Sequence, residues 1–446
     1  MRRLALASGL VGPISVVLLL SKVHAAYIAD PPYDYTGSFR FSWSIAYAVA
    51  LLVAAYGLGL PDVTNGWRQT LGLSVLASGA AAGMFSGLQL LTGDALLPRF
   101  VVFGSALVLV PWHLAIGGIV RGGRGREARR DRVVLVATER EIQRLQVEVS
   151  ARPEHPWGFV GSLRSAEAVS EGDLEKPLVE LVLGCAATVV VLDRAALSDA
   201  SVVSQAASLH EAGLRVRTLL QFYEEWLAKL PTSELERSSL FFDIGDLHRI
   251  RYGRLKRIVD LAAGGCGMVP LAIATPVVWL ANLVANRGPL FYRQERVGQG
   301  GRHFSILKFR TMVPEGGGSQ ATNWTSTDDS RVTPVGRLLR KSHLDELPQM
   351  LNIIRGDLSV VGPRPEQPHY VVQLSEKLPF YGMRHLVRPG LTGWAQVKYG
   401  YAGDEDDALE KLQYEFFYLR RQSLRFDFKV MGRTIRSVIG SEGRGR

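Results

Sequence analysis

Residues 258–285 read IVDLAAGGCGMVPLAIATPVVWLANLVA, an apolar run with Asp260 as its only charge. About 20 apolar residues suffice for a helix to cross a bilayer core, so this run is long enough for a crossing. Arg249, Arg251, Arg254, Lys256 and Arg257 crowd in just before it. A full crossing would put residues 286–446 on the far side, yet they carry 25 Lys and Arg against 17 Asp and Glu. Positive residues stay on the cytoplasmic side. Pro270 and Thr275-Pro276 resolve the conflict. Proline removes a backbone donor and bends a helix, and the Thr275 hydroxyl can serve backbone groups so freed. The run reads as a re-entrant helix that dips into the membrane and returns.

Four further apolar runs precede residue 121: Leu4–Leu20, Phe41–Leu60, Leu71–Leu91 and Phe100–Val120. Each has the length of a transmembrane helix, and together they predict a four-helix bundle over residues 1–121. Gly79, Gly83 and Gly87 recur at four-residue spacing, which predicts close helix packing there. The first run, with Arg2 and Arg3 ahead of it and Val23-His24-Ala25 behind, also resembles a signal peptide. After the fourth run come Arg121, Arg124, Arg126, Arg129, Arg130 and Arg132 against Glu127 and Asp131. That excess directs the rest of the chain into the cytoplasm.

The composition agrees: 47% of residues are apolar, 21% are charged, and the net charge is +10. Such a charge suits membrane orientation, anionic lipid and phosphate-bearing ligands. Without a basic helix or aromatic RNA-binding signature, nucleic acid is not expected as a partner. Cys185 and Cys266 are the only cysteines, too few for a disulfide framework or cysteine-based zinc site.

Residues 132–228 read as a small α/β domain. Val133–Ala137 and Ala187–Leu192 are buried-type strands. A helix is expected near Val202–Ala212, ended by Gly213, and Arg215–Leu219 alternates like another strand. Strands alternating with helices predict a parallel, Rossmann-like sheet. The first turn reads Val136-Ala137-Thr138-Glu139, without the glycines that let a pyrophosphate approach the backbone. The domain is therefore read as degenerate, structural or regulatory. Residues 229–255 are read as a connector, and 256–446 as the catalytic domain.

Four clusters in that last domain carry chemistry. In Phe304-Ser-Ile-Leu-Lys308-Phe-Arg310-Thr-Met312, preceded by Gln294-Glu295-Arg296, Lys308 and Arg310 fall on one face of a strand. Two cations on one face suit a polyphosphate, although a solvated strand face explains them too. Next comes Arg340-Lys-Ser-His-Leu-Asp345-Glu346-Leu-Pro348-Gln349. Pro348 belongs in a first helical turn, so a helix is expected from Leu344 or Asp345, with Gly356 as its stop. Both carboxylates then lie at a helix N-terminus, where Asp345 reads equally as a plain N-cap. In Gly362-Pro-Arg364-Pro365 two prolines hold an arginine that can clamp phosphate. The last cluster runs from Arg388-Pro-Gly390 through Trp394 to Gln396 and Val397, where Arg388 and Trp394 could hold a nucleotide. Beyond it, Leu424–Arg436 alternates apolar and basic residues, which fits an interfacial amphipathic segment or a terminal helix packed on the core.

Taken in order, these motifs resemble the bacterial sugar transferase family, the monotopic phosphoglycosyl transferases, over about residues 252–440. The layout resembles the large members, which carry four membrane helices and a Rossmann-like domain. The resemblance implies transfer of a sugar 1-phosphate from a UDP-sugar to undecaprenyl phosphate, with release of UMP, early in exopolysaccharide or O-antigen synthesis. It implies Asp345 as nucleophile, Glu346 as Mg²⁺ ligand, and Lys308, Arg340 and Arg364 as phosphate-site cations. Arg310, Arg388 and Gln396 join them as expected substrate contacts, and Thr275-Pro276 resembles the family's helix-breaking pair. The implied location is the bacterial inner membrane, with the catalytic domain on the cytoplasmic face and the bilayer as a partner. A homo-oligomer is compatible with the sequence. Many members carry Asn-Gly-Arg where this chain has Lys398-Tyr399-Gly400, so the sugar is left open. An inactive membrane scaffold is the alternative reading.

Overall fold

The computed structural model describes residues 2–60, 67–121, 131–151, 157–170, 176–232, 246–285, 288–313, 331–399 and 405–439. The Arg124–Arg130 part of the basic run after the fourth apolar segment lies outside them. The chain divides into two compact units. Residues 1–123, 248–407 and 421–446 make one, and residues 124–247 and 408–420 make the other.

The first unit opens with four helices: α1 (Arg2–Val23), α2 (Phe39–Gly57), α3 (Trp67–Thr92) and α4 (Arg99–Arg121). Val17, Tyr47, Leu51, Ala81, Phe85, Val101 and Leu109 form their shared core. The Tyr47 hydroxyl donates to the Val102 carbonyl at 2.9 Å, and Ser74 bonds His113 at 2.8 Å. Such bonds hold apolar helices together where water cannot compete. The expected glycine seam is absent from these contacts. A Cβ added at Gly79, Gly83 or Gly87 would meet nothing within 4 Å. The neighbouring stripe of Ala77, Ala81, Ala82 and Phe85 is the buried one, because it turns toward the partner helices while the glycines turn away.

The second unit is a parallel sheet in the order β2-β1-β3-β4. Its elements are β1 (Asp131–Ala137), α5 (Glu139–Ala151), β2 (Trp157–Arg164), α6 (Pro177–Gly184), β3 (Val189–Leu192), α7 (Arg194–Leu197), α8 (Ala200–Glu211), β4 (Arg215–Thr218) and α9 (Leu219–Phe222). Alternate residues of β1 and β3 point to opposite faces. Val133, Leu135, Val189 and Val191 pack with Ile142, Leu145, Trp157 and Phe222 on one side. Val134, Val136, Val190 and Leu192 pack with Val182, Val202 and Leu209 on the other. With both faces covered, central strands read as unbroken valine runs.

Asp193 closes the crevice between the ends of β1 and β3, where ligands bind in sheets of this kind. Its buried carboxylate accepts from the Thr138 N–H at 2.8 Å, the Ser165 hydroxyl at 3.0 Å and the Ala196 N–H at 2.8 Å. The amide that would greet a phosphate thus already holds an anion from the chain itself.

The chain then runs through α10 (Asp246–Ala285), β5 (Phe291–Val297), β6 (His303–Phe309), α11 (Pro334–Lys341), α12 (Gln349–Arg355), β7 (Ser359–Val361), α13 (Pro368–Lys377), β8 (Gly390–Thr392), α14 (Trp394–Lys398), α15 (Glu405–Arg420) and α16 (Leu424–Ile439). Most of α15 belongs to the sheet-containing unit. There Glu410 and Glu148 bracket the buried ammonium of Lys229 at 2.6 and 2.7 Å. Removing one partner of such a buried cluster costs about 3–5 kcal/mol.

Helix α10 is continuous through Pro270 and Pro276. Pro276 frees the Ala272 carbonyl, but the Thr275 hydroxyl donates to Leu271 at 2.7 Å, its own i−4 carbonyl. One face of α10 packs on the elements that follow it in the chain. Gly264 lies against Ile353 and Ile354, and a Cβ at Gly267 would collide with Met350. Leu271 and Val278 pack with Phe309 and Leu339. The opposite face leaves Ile258, Val269, Ile273, Val277 and Leu280 exposed. Five helices among the described residues, α10 included, are long and apolar enough to cross a membrane. At the carboxyl end α16 is a packed helix, with Phe426, Asp427 and Val430 buried.

Loss of the Asp193 carboxylate should leave three donors of the second unit unpaired. Asp193→Ala is expected to destabilise that unit by about 2–4 kcal/mol, read as earlier proteolysis within residues 131–232 during urea titration of the extracted protein. The wild-type chain is expected to show no micromolar binding of NAD, NADP or FAD in equilibrium titration.

Candidate active site

Asp345 and Glu346 sit on a 3₁₀ turn, Leu344–Glu346, entered through His343 at φ 57°. The expected α-helix begins later, at Gln349, with Pro348 in its cap position. Pro348 has no N–H to return to Leu344, so the turn closes by i+3 bonds instead, Glu346 to His343 and Leu347 to Leu344. Asp345 is therefore not the N-cap of α12. It is buried, 8% exposed.

Two cations from distant parts of the chain converge on Glu346. Its Oε1 accepts from Lys308 Nζ at 2.8 Å and from Arg364 Nη2 at 3.1 Å. Lys308 comes from β6 and Arg364 from the turn after β7. Charge-assisted bonds of this kind contribute about 1.5–3 kcal/mol each. Arg340, at the end of α11, donates from Nε to the Thr311 hydroxyl at 3.0 Å.

The other expected site residues are placed differently. Arg310 falls just past β6 and is buried, with its guanidinium in the place a Cβ on Gly288 would take. Burial lowers its pKa. Arg388 is half-buried, with no hydrogen bond or ion pair among the described residues. Gln396 lies on α14 with its Oε1 buried and unpaired. Trp394 offers no face to a nucleotide base. It is 2% exposed, packed edge-on against Phe426, with Lys398, Lys429 and Arg433 within 4.8–5.8 Å of its ring centre. Thr275 and Pro276 lie within α10.

Several residues that position this site carry little signal in the sequence. Asn352 is fully buried in α12. It accepts from the Leu307 N–H at 3.1 Å and donates to the Ser305 carbonyl at 2.8 Å, which pins β6 and its Lys308. An asparagine interrupting the apolar run Met350–Ile354 was the available clue. The turn carrying Arg364 is held by four consecutive carbonyls. Pro363 accepts from the Gly390 N–H at 2.8 Å and Arg364 from Arg384 Nη2 at 2.8 Å. Pro365 accepts from Arg296 Nη1 at 3.0 Å and Glu366 from the Val297 N–H at 2.9 Å. Arg384 is itself buried, bonded to the Tyr381 hydroxyl at 2.6 Å. Burial and the charge of Arg384 push the neighbouring His385 down to about 4, so it is neutral near pH 7.

The family model of the bacterial sugar transferases matches residues 251–441. An undecaprenyl-phosphate glucose-1-phosphate transferase of Caulobacter vibrioides is 38% identical over 203 residues, 44% of this chain and 74% of the relative. This chain belongs to the bacterial sugar transferase family. An N-acetylgalactosaminephosphotransferase of Aeromonas hydrophila, named for UDP-N-acetylgalactosamine and undecaprenyl phosphate, is 40% identical over 195 residues. An undecaprenyl-phosphate glucose phosphotransferase of Komagataeibacter xylinus is 38% identical over 192. The match spans 45% and 36% of those two relatives, respectively, so the chain covers less than half of their length. The clusters described above all fall inside the stretch shared with this sugar transferase family.

Adjacent carboxylates fit Mg²⁺, which takes one or two protein carboxylates and completes its shell with water and substrate phosphate. No group of three or more His, Cys, Asp or Glu with metal-holding geometry occurs among the described residues. Glu346 Oε1 is already shared by two cations, so an ion there would share or displace them.

Arg384→Met should loosen the Arg364 turn without removing any group that bonds Glu346. Sugar-phosphate transfer is expected to fall roughly 10- to 100-fold in kcat/KM, and Arg384→Lys to recover part of it. The check is steady-state kinetics on membranes with matched protein levels.

Proposed function

We propose that the protein transfers a sugar 1-phosphate from a UDP-sugar to undecaprenyl phosphate, releasing UMP. The observation that carries this reading is the buried Asp345 beside a Glu346 that Lys308 and Arg364 already neutralise. The names of the relatives support the donor and acceptor classes. In the first step an Asp345 oxygen attacks the β-phosphorus. A new O–P bond forms, the bond to the UMP oxygen breaks, and UMP leaves with the electron pair. In the second step an oxygen of the carrier phosphate attacks the same phosphorus and Asp345 departs. Splitting one displacement into two is the usual gain of covalent catalysis. Attack by an anion on an anion needs positive charge already in place; Lys308, Arg340, Arg364 and Arg388 supply it. Mg²⁺ held by Glu346, with Asp345 adjacent, would offset further diphosphate charge.

The membrane arrangement belongs to the same proposal. Helices α1 to α4 span the bilayer of the bacterial inner membrane, and α10 dips into the cytoplasmic leaflet with its exposed apolar face in lipid. The carrier phosphate then meets the site at headgroup height. The Lys and Arg excess after residue 285 supports a cytoplasmic catalytic region. The transfer would start exopolysaccharide or O-antigen assembly.

Two measurements test this. Asp345→Asn keeps the size of the side chain and removes the nucleophile, so it should insert normally and lose at least ~10³-fold in UMP release. Near-normal turnover in the folded variant would overturn the mechanism. Release of UDP would point to transfer of the sugar alone, and no nucleotide product to a scaffold. For topology, single cysteines at Gln299 and Ser441, with Cys185 and Cys266 replaced by serine, should resist an impermeant thiol reagent in intact cells. Labelling from outside would mean that α10 crosses completely.

A further inference from the structure

The carboxyl-terminal helix α16 touches α2, α10 and the stretch around β8. It packs along α2, the second apolar helix of the amino-terminal group. The two backbones meet so closely that a Cβ at Gly432 would overlap the carbonyl of Gly57, the last residue of α2. Two turns earlier on α16, Arg425 donates from Nε to the Tyr56 hydroxyl at 2.7 Å and lies over its ring at 5.2 Å. On the far side α16 meets the catalytic region. Thr434 bonds the Thr392 hydroxyl at 2.6 Å. The Thr392 carbonyl in turn accepts from the Gly362 N–H at 2.9 Å, one residue before the turn that carries Arg364. A third contact runs to α10, where Tyr252 and Lys256 donate to Asp427 at 2.7 and 2.8 Å.

We propose that the α2–α16 junction is a seat through which the amino-terminal helices position the Arg364 turn, with Gly432 and Arg425 as its positioning residues. The first four helices are then part of the catalytic apparatus rather than an anchor alone. The chain of contacts is short: Gly57 to Gly432, Thr434 to Thr392, Thr392 to Gly362. Each link is a backbone contact or a direct hydrogen bond, so a shift of α16 over α2 moves the turn. Glycine at 432 is required by the contact itself, since its helical backbone would accept any residue.

The inference rests on the proposed transfer for its kinetic arm and stands without it for its structural arm. In the structural arm, Tyr56→Cys and Arg425→Cys are combined with Cys185→Ser and Cys266→Ser in the full chain. A short bis-maleimide should join them within one molecule, and failure to crosslink overturns the seat whatever the activity. In the kinetic arm, Gly432→Ala, Gly432→Val and Gly432→Leu should lower kcat in order of size, by about tenfold or more for leucine, with KM for the UDP-sugar changed less than about threefold. Tyr56→Phe and Arg425→Gln share one bond, so the double variant should be no slower than the slower single one, and Arg425→Lys should recover part of the loss. This cycle decides the matter if Gly432→Leu does not insert. Wild-type turnover in a folded Gly432→Leu variant, or additive losses in the cycle, overturns the proposal. Absence of UMP release by the wild type would instead count against the transfer reaction and leave the crosslink to judge the seat.

Discussion

Asp260 is the only charge in the apolar run of α10, and the placement of the site depends on it. Its buried carboxylate accepts from the Ser359 hydroxyl and the Val360 N–H, both at 2.9 Å. One turn earlier, Arg257 donates to the Ile353 and Ile354 carbonyls at 2.6 Å, closing the end of α12. Both bonds fall on Oδ1 of that carboxylate, so the start of β7 and the end of α12 are both fixed to one turn of α10. β7 leads into the Arg364 turn, and α12 follows the turn that carries Asp345 and Glu346. The two halves of the site are thus referenced to the same helix, whose other face is bare and apolar.

That arrangement has a chemical use. In the proposed reaction a lipid-borne phosphate and a water-borne nucleotide sugar meet at an interface, and α10, on which both halves of the site are placed, has an exposed apolar side. Around Glu346 two cations meet one carboxylate, so positive charge is in place before any substrate arrives. Lys308 and Arg364 are held by Asn352 and by the donors behind the Pro363–Glu366 turn, so little reorganisation is needed when diphosphate charge enters. Preorganised charge of this kind is usually the largest single contribution to catalysis.

The sheet-containing unit follows a different logic. Parallel sheets take ligands where the strand order reverses, here at the ends of β1 and β3, and Asp193 fills that place with the chain's own anion. The unit's buried Lys229 cluster binds α15, a helix that lies in sequence within the stretch matched to the transferase family. The unit is therefore completed by a piece of chain that returns to it from the catalytic region, an arrangement suited to a structural or regulatory role.

The sequence by itself determined the elements whose signal is local. Apolar length marked α1 to α4 and α10, valine runs marked β1 and β3, and the order of short motifs marked the family and the Asp345-Glu346 pair. It also supplied Lys308 and Arg364, because cations next to rigid or alternating backbone stand out. Three matters were decided only by the tertiary structure. Gly79, Gly83 and Gly87 have the spacing of a packing seam but face away from it, since spacing fixes a face and not its direction. Trp394 lies under cations and Phe426, since a glycine-rich loop does not say which side chain turns inward. Asn352, Arg384 and Gly432 act across 20 to 375 residues of chain, and no local pattern encodes a partner at that distance. Local periodicity reports what a segment is, whereas the direction of a buried side chain depends on which other segment covers it.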